Sequence, residues 1–243
     1  MHKIAVIAGR ELRAYFATPV AYVFIAIFLA LSGVFTFYIG GFYERGQADL
    51  QPFFSFHPWL YLFLVPAISM RLWAEERKSG SIELLMTLPV TLWEAVAGKF
   101  LAAWLFTAVA VLLTFPLWIT VNYLGDPDNG VIVAAYLGSL LMAGAFLAIG
   151  SCISAANRNQ VVAFIVTVLI CFLFLLSGFP LVLDWFRGLP QGFIDTIAGL
   201  SFLTHFTAIS KGVIDLRDVV FFLLVIGSWL YATTIVLDMK KAE

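Results

Sequence analysis

Long apolar blocks parted by short polar ones set the pattern of this chain, and each block predicts a helix. The first element, HKIAVIAGRELRAYF, is two-faced: Lys3, Arg10 and Arg13 fall on one helical side, Ile4, Ala8, Leu12, Tyr15 and Phe16 on the other. A basic amphipathic helix ahead of an apolar block predicts a segment lying in a membrane interface, residues 1–17. Thr18 then Pro19 reads as an N-cap followed by proline at the first helical position, and the apolar run to about Phe42 is a first span. A second runs from Pro58 to about Trp73. Thr91 and Glu94 make a T-x-x-E capping box that opens the third, about Val96 to Val121. The fourth covers about Val131 to Ile153, the fifth Val161 to Gly178 and the sixth Val219 to Leu237, each near the roughly 20 residues a crossing needs. NYLGDPDNG and SAANRNQ are the polar turns on either side of the fourth.

Residues 179–218 break this rhythm. The stretch is apolar, but Pro180, Gly188, Pro190, Gly192, Gly199 and Gly212 interrupt it and Asp184, Arg187, Asp195 and Lys211 add charge. Short broken helices dipping into one leaflet are expected, since irregular backbone at membrane depth must be covered by protein.

Composition fits this all-α membrane reading and excludes a soluble domain: 62% of residues are hydrophobic, 12% are charged, and the mean hydropathy is +0.99. The first apolar run is too long for a signal-peptide core, so it is expected to insert uncleaved. Six spans put both termini on one side. That side carries ten Lys and Arg (Lys3, Arg10, Arg13, Arg71, Arg77, Lys78, Lys99, Arg158, Lys240, Lys241) against four opposite (Arg45, Arg187, Lys211, Arg217), so the termini are expected to be cytoplasmic. A net charge of −1 gives no electrostatic basis for binding nucleic acid.

The span centres hold only small polar residues such as Ser32, Ser69, Thr107, Thr114, Ser139, Thr167 and Ser228, which suit close helix contacts. Ion-coupled transport ordinarily needs ionisable groups there, so the energy source is expected outside the chain. The sequence holds no G-x-x-x-x-G-K-[ST] phosphate loop, H-E-x-x-H or G-x-S-x-G motif, and no enzymatic activity is expected. Cys152 and Cys171 read as buried packing residues. His2, His57 and His205 read as terminal or loop residues, interfacial or hydrogen-bonded, with catalysis or metal binding as the alternative.

One polar segment stands out. RLWAEERKSGSIELLMTLPVTLWEAVAGKF gathers Arg71, Glu75, Glu76, Arg77, Lys78, Glu83, Glu94 and Lys99 between two apolar blocks. Gly80 permits a reversal, Ser81 can cap, Glu83 favours a helix N-terminus, and Ile82, Leu85 and Leu88 form one stripe of a short helix ended by Pro89. The stripe is either a docking surface or part of a solvated, membrane-lying loop.

Here the residues resemble a known family. EERKSGSIELLMTLPV is similar to the cytoplasmic loop of ABC-2 type transporter permeases, with Glu76, Arg77, Gly80, Ser81, Glu83, Leu85, Thr87 and Pro89 at the pattern positions. ELRAYFATPVAYVFIAIFLALSGVF and LSFLTHFTAISKGVIDLRDVVFFL resemble the gliding-motility branch, related to the nitrous-oxide reductase maturation permeases. The resemblance implies a single permease domain over 1–243 with a type V exporter-like fold. It makes Lys3, Arg10, Glu11 and Arg13 part of a connecting helix, residues 75–90 a coupling loop with Ile82 to Leu88 as coupling helix, and 179–218 the outer-leaflet re-entrant helices. Phe179, Pro180 and Trp185 would form an outer gate, or the segment merely plugs the leaflet.

The implied assembly is a homodimer, or a dimer with a close paralogue, in a bacterial inner membrane. Two cytoplasmic ATPase subunits hold ATP and Mg, this chain binds no cofactor, and membrane lipid and a periplasmic or membrane accessory protein are further partners. Export or flipping of a hydrophobic or polymeric substrate is the implied function. Transmission of ATP-driven motion to a periplasmic partner, without transport, is the alternative.

Overall fold

The computed structural model describes residues 2–80, 82, 89–185 and 190–240, all-helical where regular. Helix α1 (His2–Phe16) precedes α2 (Pro19–Val34), which continues through a π-helical turn, Phe35–Ile39. A short α3 (Gln51–Ser55) leads into α4 (His57–Ser69) and α5 (Arg71–Ser79). Beyond the charged loop come α6 (Leu92–Leu112), α7 (Phe115–Leu124), α8 (Asn129–Ala156) and α9 (Gln160–Leu176). Three short helices, α10 (Pro180–Trp185), α11 (Gln191–Ala198) and α12 (Phe202–Ser210), precede α13 (Leu216–Met239).

Among the described residues four helices are long and apolar enough to cross a membrane: Pro19–Ile39, Leu92–Leu124, Asn129–Ala156 and Leu216–Met239. Gln160–Leu176 is apolar but shorter, and the stretch from His57 is interrupted at Met70. The expected second span is thus two helices. Pro66 inside α4 removes one backbone donor, and Ser154 of α8 engages the groups around the break.

Helix α8 is the axis of the fold. Its most apolar window is 78% buried against 22–44% in the other three long helices, so its sides are covered by protein rather than lipid. Helices α4, α5, α6, α9, α12 and α13 all pack on it. Small residues make that possible: a methyl at Gly138 would sit 2.7 Å from Ile209, and one at Gly150 would collide with the Ser69 hydroxyl.

The capping box at the start of α6 forms in full, Thr91 Oγ1 accepting from Glu94 N and Glu94 Oε2 accepting from Thr91 N. Thr18 departs from expectation: its hydroxyl turns back to the Tyr15 carbonyl at 2.9 Å and does not cap α2. The third expected span bends at Thr114, where Pro116 opens a new helix and the Thr114 hydroxyl donates to the Val111 carbonyl. The described residues between 179 and 218 form three short helices. None of the three exceeds nine residues, about 14 Å, under half a hydrocarbon core.

His57 stands at a helix entry, as the following Pro58 suggests, while His205 lies inside a helix rather than in a loop. His57 opens α4, fully buried against its near neighbours Phe53 and Phe54, with Nδ1 2.7 Å from Ser139 Oγ, a contact across 82 residues that local sequence does not encode. His205 lies within α12 and is also buried. Both cysteines are buried free thiols.

Candidate functional site

The charged segment and the amphipathic first helix meet at one end of the bundle. The apolar side of α1 docks on α6, where Gly98 admits it: a Cβ there would lie 2.7 Å from the Ile7 side chain. Tyr15 stacks on Phe106 with ring centroids 5.2 Å apart, and Phe16 meets the same ring edge-on at 5.6 Å. On the polar side Lys3, Arg10 and Arg13 are exposed. Lys3 Nζ donates to the Pro89 carbonyl at 2.6 Å and stands 4.0 Å from the Glu94 carboxylate, tying the start of α1 to the last residues of the loop.

At the centre is Lys99, one turn into α6 beyond the capping box. Its side chain is only 4% exposed, with Nζ 2.7 Å from Glu76 Oε1 on α5 and 3.4 Å from Glu11 Oε2 on α1. The ammonium also lies 5.3 Å from the centre of the buried Trp73 ring, a cation–π contact. One cation therefore holds three helices. Glu76 Oε2 is buried and has no hydrogen-bond partner among the described residues. Burial pushes the Glu11 carboxyl up, but the Lys99 charge and the Arg10 guanidinium outweigh it and hold Glu11 below its ordinary range. Beside the cluster a pocket of about 180 Å³ is lined by Glu11, Tyr15, Thr18, Arg71, Glu75 and Lys99. Arg71 and Glu75 pair across one turn of its rim at 3.0 Å.

Helix α5 is anchored from behind by the last turns of α8. Ser154 Oγ accepts from the backbone N–H of Trp73 and of Ala74, both at 3.1 Å, and donates to the Met70 carbonyl at 2.9 Å. Ser151 Oγ accepts from Trp73 Nε1 at 3.0 Å. Arg77 donates to the Ala155 carbonyl at 2.6 Å and Lys240 to that of Ala156 at 2.9 Å, two cations on the negative end of the α8 dipole. The charged arm is thereby fixed to the most buried helix in the fold. Ser154→Ala leaves two buried N–H groups without an acceptor, so the thermal stability of the purified protein should fall by about 1–3 kcal/mol; an unchanged melting curve would mean the serine splint carries no weight.

Of the residues singled out in the sequence, Glu76 and Arg77 stand on α5 as described. Gly80 ends it with φ +73°, the left-handed conformation that glycine adopts freely. Ile82 is half-buried against the hydrophobic core. Ser81, Glu83, Leu85, Thr87 and Leu88 lie outside the described residues. Phe179, Pro180 and Trp185 belong to the opposite end, at and within α10, with Trp185 90% exposed. Trp73, Ser151 and Ser154 were not singled out, and Lys99 entered only as a loop charge. The signals available were a Gly–Lys pair inside an apolar helix and two serines three apart on another.

Residues 44–194 match the family described as ABC-2 family transporter protein. The match takes in Trp73, Glu76, Lys99, Ser151 and Ser154, and leaves out α1, α2, α12 and α13. Comparison with the curated proteins gives no match.

Proposed function

The chain belongs to the ABC-2 family of transporter proteins, the permease component of an ABC transporter, and we propose that it pairs with a second permease chain and takes its motion from two separate cytoplasmic ATPase subunits. The observation that carries this reading is the Lys99 cluster. A helix lying across the membrane edge, the arm leading into the loop and a long membrane helix share one buried cation. A push on residues 75–90 would therefore move α1 and α6 together. The resemblance of the loop to the coupling loops of the family supports the same assignment for the undescribed stretch of that loop.

In this reading there are six crossings: α2, α4–α5, α6–α7, α8, α9 and α13. The Lys99 end faces the cytoplasm, where the Lys and Arg excess lies. Single cysteines at Asp49 and Asp128 should react with an impermeant reagent added to intact cells, and one at Ser79 should not; outside labelling at Ser79 would overturn the topology.

The partner protomer fits the face formed by α2 and α9, which flank α4. Val20, Val23, Ile27, Leu31 and Val34 make an exposed apolar stripe along α2, and Gly33 is open to close approach. Gly178, just past the end of α9, packs within its own chain, where a Cβ would lie 2.6 Å from Ser201. The terminal segments favour the gliding-motility branch. Export or flipping of a hydrophobic or polymeric substrate is the favoured activity, because the apolar spans offer it a path without fixed charge. ATP-dependent movement of lipid by the reconstituted complex is the test; its absence, with ATP hydrolysis intact, would favour passage of motion to an outer partner. For the outer gate, Trp185→Ala should change transport or basal ATP turnover while assembly persists. Unchanged activity in that variant and in Phe179→Ala would remove the gate and leave a plug.

A further inference from the structure

At the end opposite Lys99 a second buried pair of ionisable side chains has no part in this coupling scheme. His205 of α12 has Nδ1 2.6 Å from Asp218 Oδ1, in the first turn of α13, and Nε2 2.9 Å from the carbonyl of Gly199, the residue that ends α11. Its ring stacks on Phe221 with centroids 4.0 Å apart, and its side chain is 8% exposed. Both ring nitrogens face oxygens that only accept. A neutral imidazole has one N–H and can satisfy one of them; the doubly protonated ring satisfies both. The other elements packed on α12 bring no competing charge: α3 has no titratable residue, α8 only Tyr136 and Cys152, and α9 only Cys171. Asp215 and Arg217 lie in the turn before Asp218, and Lys211 follows α12. Asp215 is engaged as the N-cap of α13.

We propose that His205 and Asp218 form a proton-set clasp holding the turn at Gly199 to the first turn of α13, so that the outer segment loosens when the imidazole gives up its second proton. The charge-assisted bond to Asp218 is the stronger of the two and survives with the remaining proton. The proton lost to solvent is the one on Nε2, and the bond that breaks is the one to the Gly199 carbonyl. That carbonyl belongs to the turn linking α11 to α12, with α10 earlier in the same segment. Given the topology proposed above, the acidity of the outer compartment would thus set how firmly α11 and α12 are held together against α13. The inference does not depend on what, if anything, crosses the membrane.

The test uses the full-length protein in lipid nanodiscs, labelled with ¹⁵N-histidine. Only three histidines are present, and His205→Gln identifies the signal concerned. As the pH is raised, the His205 ring should pass from two protonated nitrogens to one. Over the same rise, after correction for intrinsic exchange, amide protection across residues 199–201 should fall about tenfold, as expected for loss of a hydrogen bond to a charged group. His205→Gln and Asp218→Asn should both abolish that step while α8 keeps its protection. A ring that is singly protonated throughout the titration, or protection that stays level while the ring titrates, would overturn the clasp.

Discussion

Lys99→Met is expected to destabilise the protein by about 3 kcal/mol, the cost of leaving the half-buried Glu76 carboxylate without its cation while Glu11 keeps only Arg10. Three features make the loss large. The Lys99 ammonium is almost wholly withdrawn from water, it faces Glu11 and Glu76 from two different helices, and Glu76 already has one oxygen without a partner among the described residues. Methionine fills nearly the same volume, so packing against Trp73 survives and the charge is what changes. The triple variant Lys99→Met, Glu11→Gln, Glu76→Gln should recover much of the stability, since neutral side chains there no longer carry the burial penalty. It should not recover ATP-driven activity if the charges hold α1 and α5 together during the cycle. Full activity in the triple variant would reduce the cluster to packing. Acid gives a second handle: the contribution of Glu11 is complete above the ordinary Glu value near 4.5 and is lost as pH falls below it, because its pairing depends on the ionised form. Stability that rose on acidification would contradict the pairing.

Glu83→Lys and Leu85→Asp in the charged loop are expected to detach the ATPase subunits while the permease still inserts and dimerises. Truncated anchors at the centre of an interface cost about 2 kcal/mol or more, roughly 30-fold in affinity, and a charge buried without a partner costs further. Co-purification measures this directly, with the Trp185 variant as control because that residue stands on α10, at the opposite end of the bundle. Wild-type amounts of bound ATPase in both loop variants would refute the docking role of residues 75–90.

Local chemistry was readable in the sequence where the cause lies within a few residues. Thr91 and Glu94 make both bonds of their capping box, Gly80 takes the left-handed conformation, and the faces of α1 divide as its spacing requires. What escaped depends on partners far along the chain. Lys99 meets Glu11 and Glu76, and Ser154 reaches Trp73, Ala74 and Met70 across roughly eighty residues. A charge count finds such a cluster without telling which cation is buried. The break at Met70 is similarly hidden, since only α8 supplies the hydroxyl that satisfies it. Thr18 fails as a cap because the Tyr15 carbonyl lies within reach of its hydroxyl, a competition that residue type alone does not resolve. His57 and His205 sit in stretches whose Pro and Gly content reads as loop, yet both are buried among aromatic rings.

The central claim is that this permease receives its motion from separate ATPase subunits through the arm that Lys99 secures. Its most direct test is Mg-ATP hydrolysis by the tagged chain purified gently from its native membrane, measured beside the Leu85→Asp variant. The account predicts stoichiometric ATPase subunits and hydrolysis with the wild-type chain, and loss of both with the variant. A wild-type chain that brings no ATPase subunit from membranes where it is functional, or a variant that retains subunit and hydrolysis alike, would contradict it.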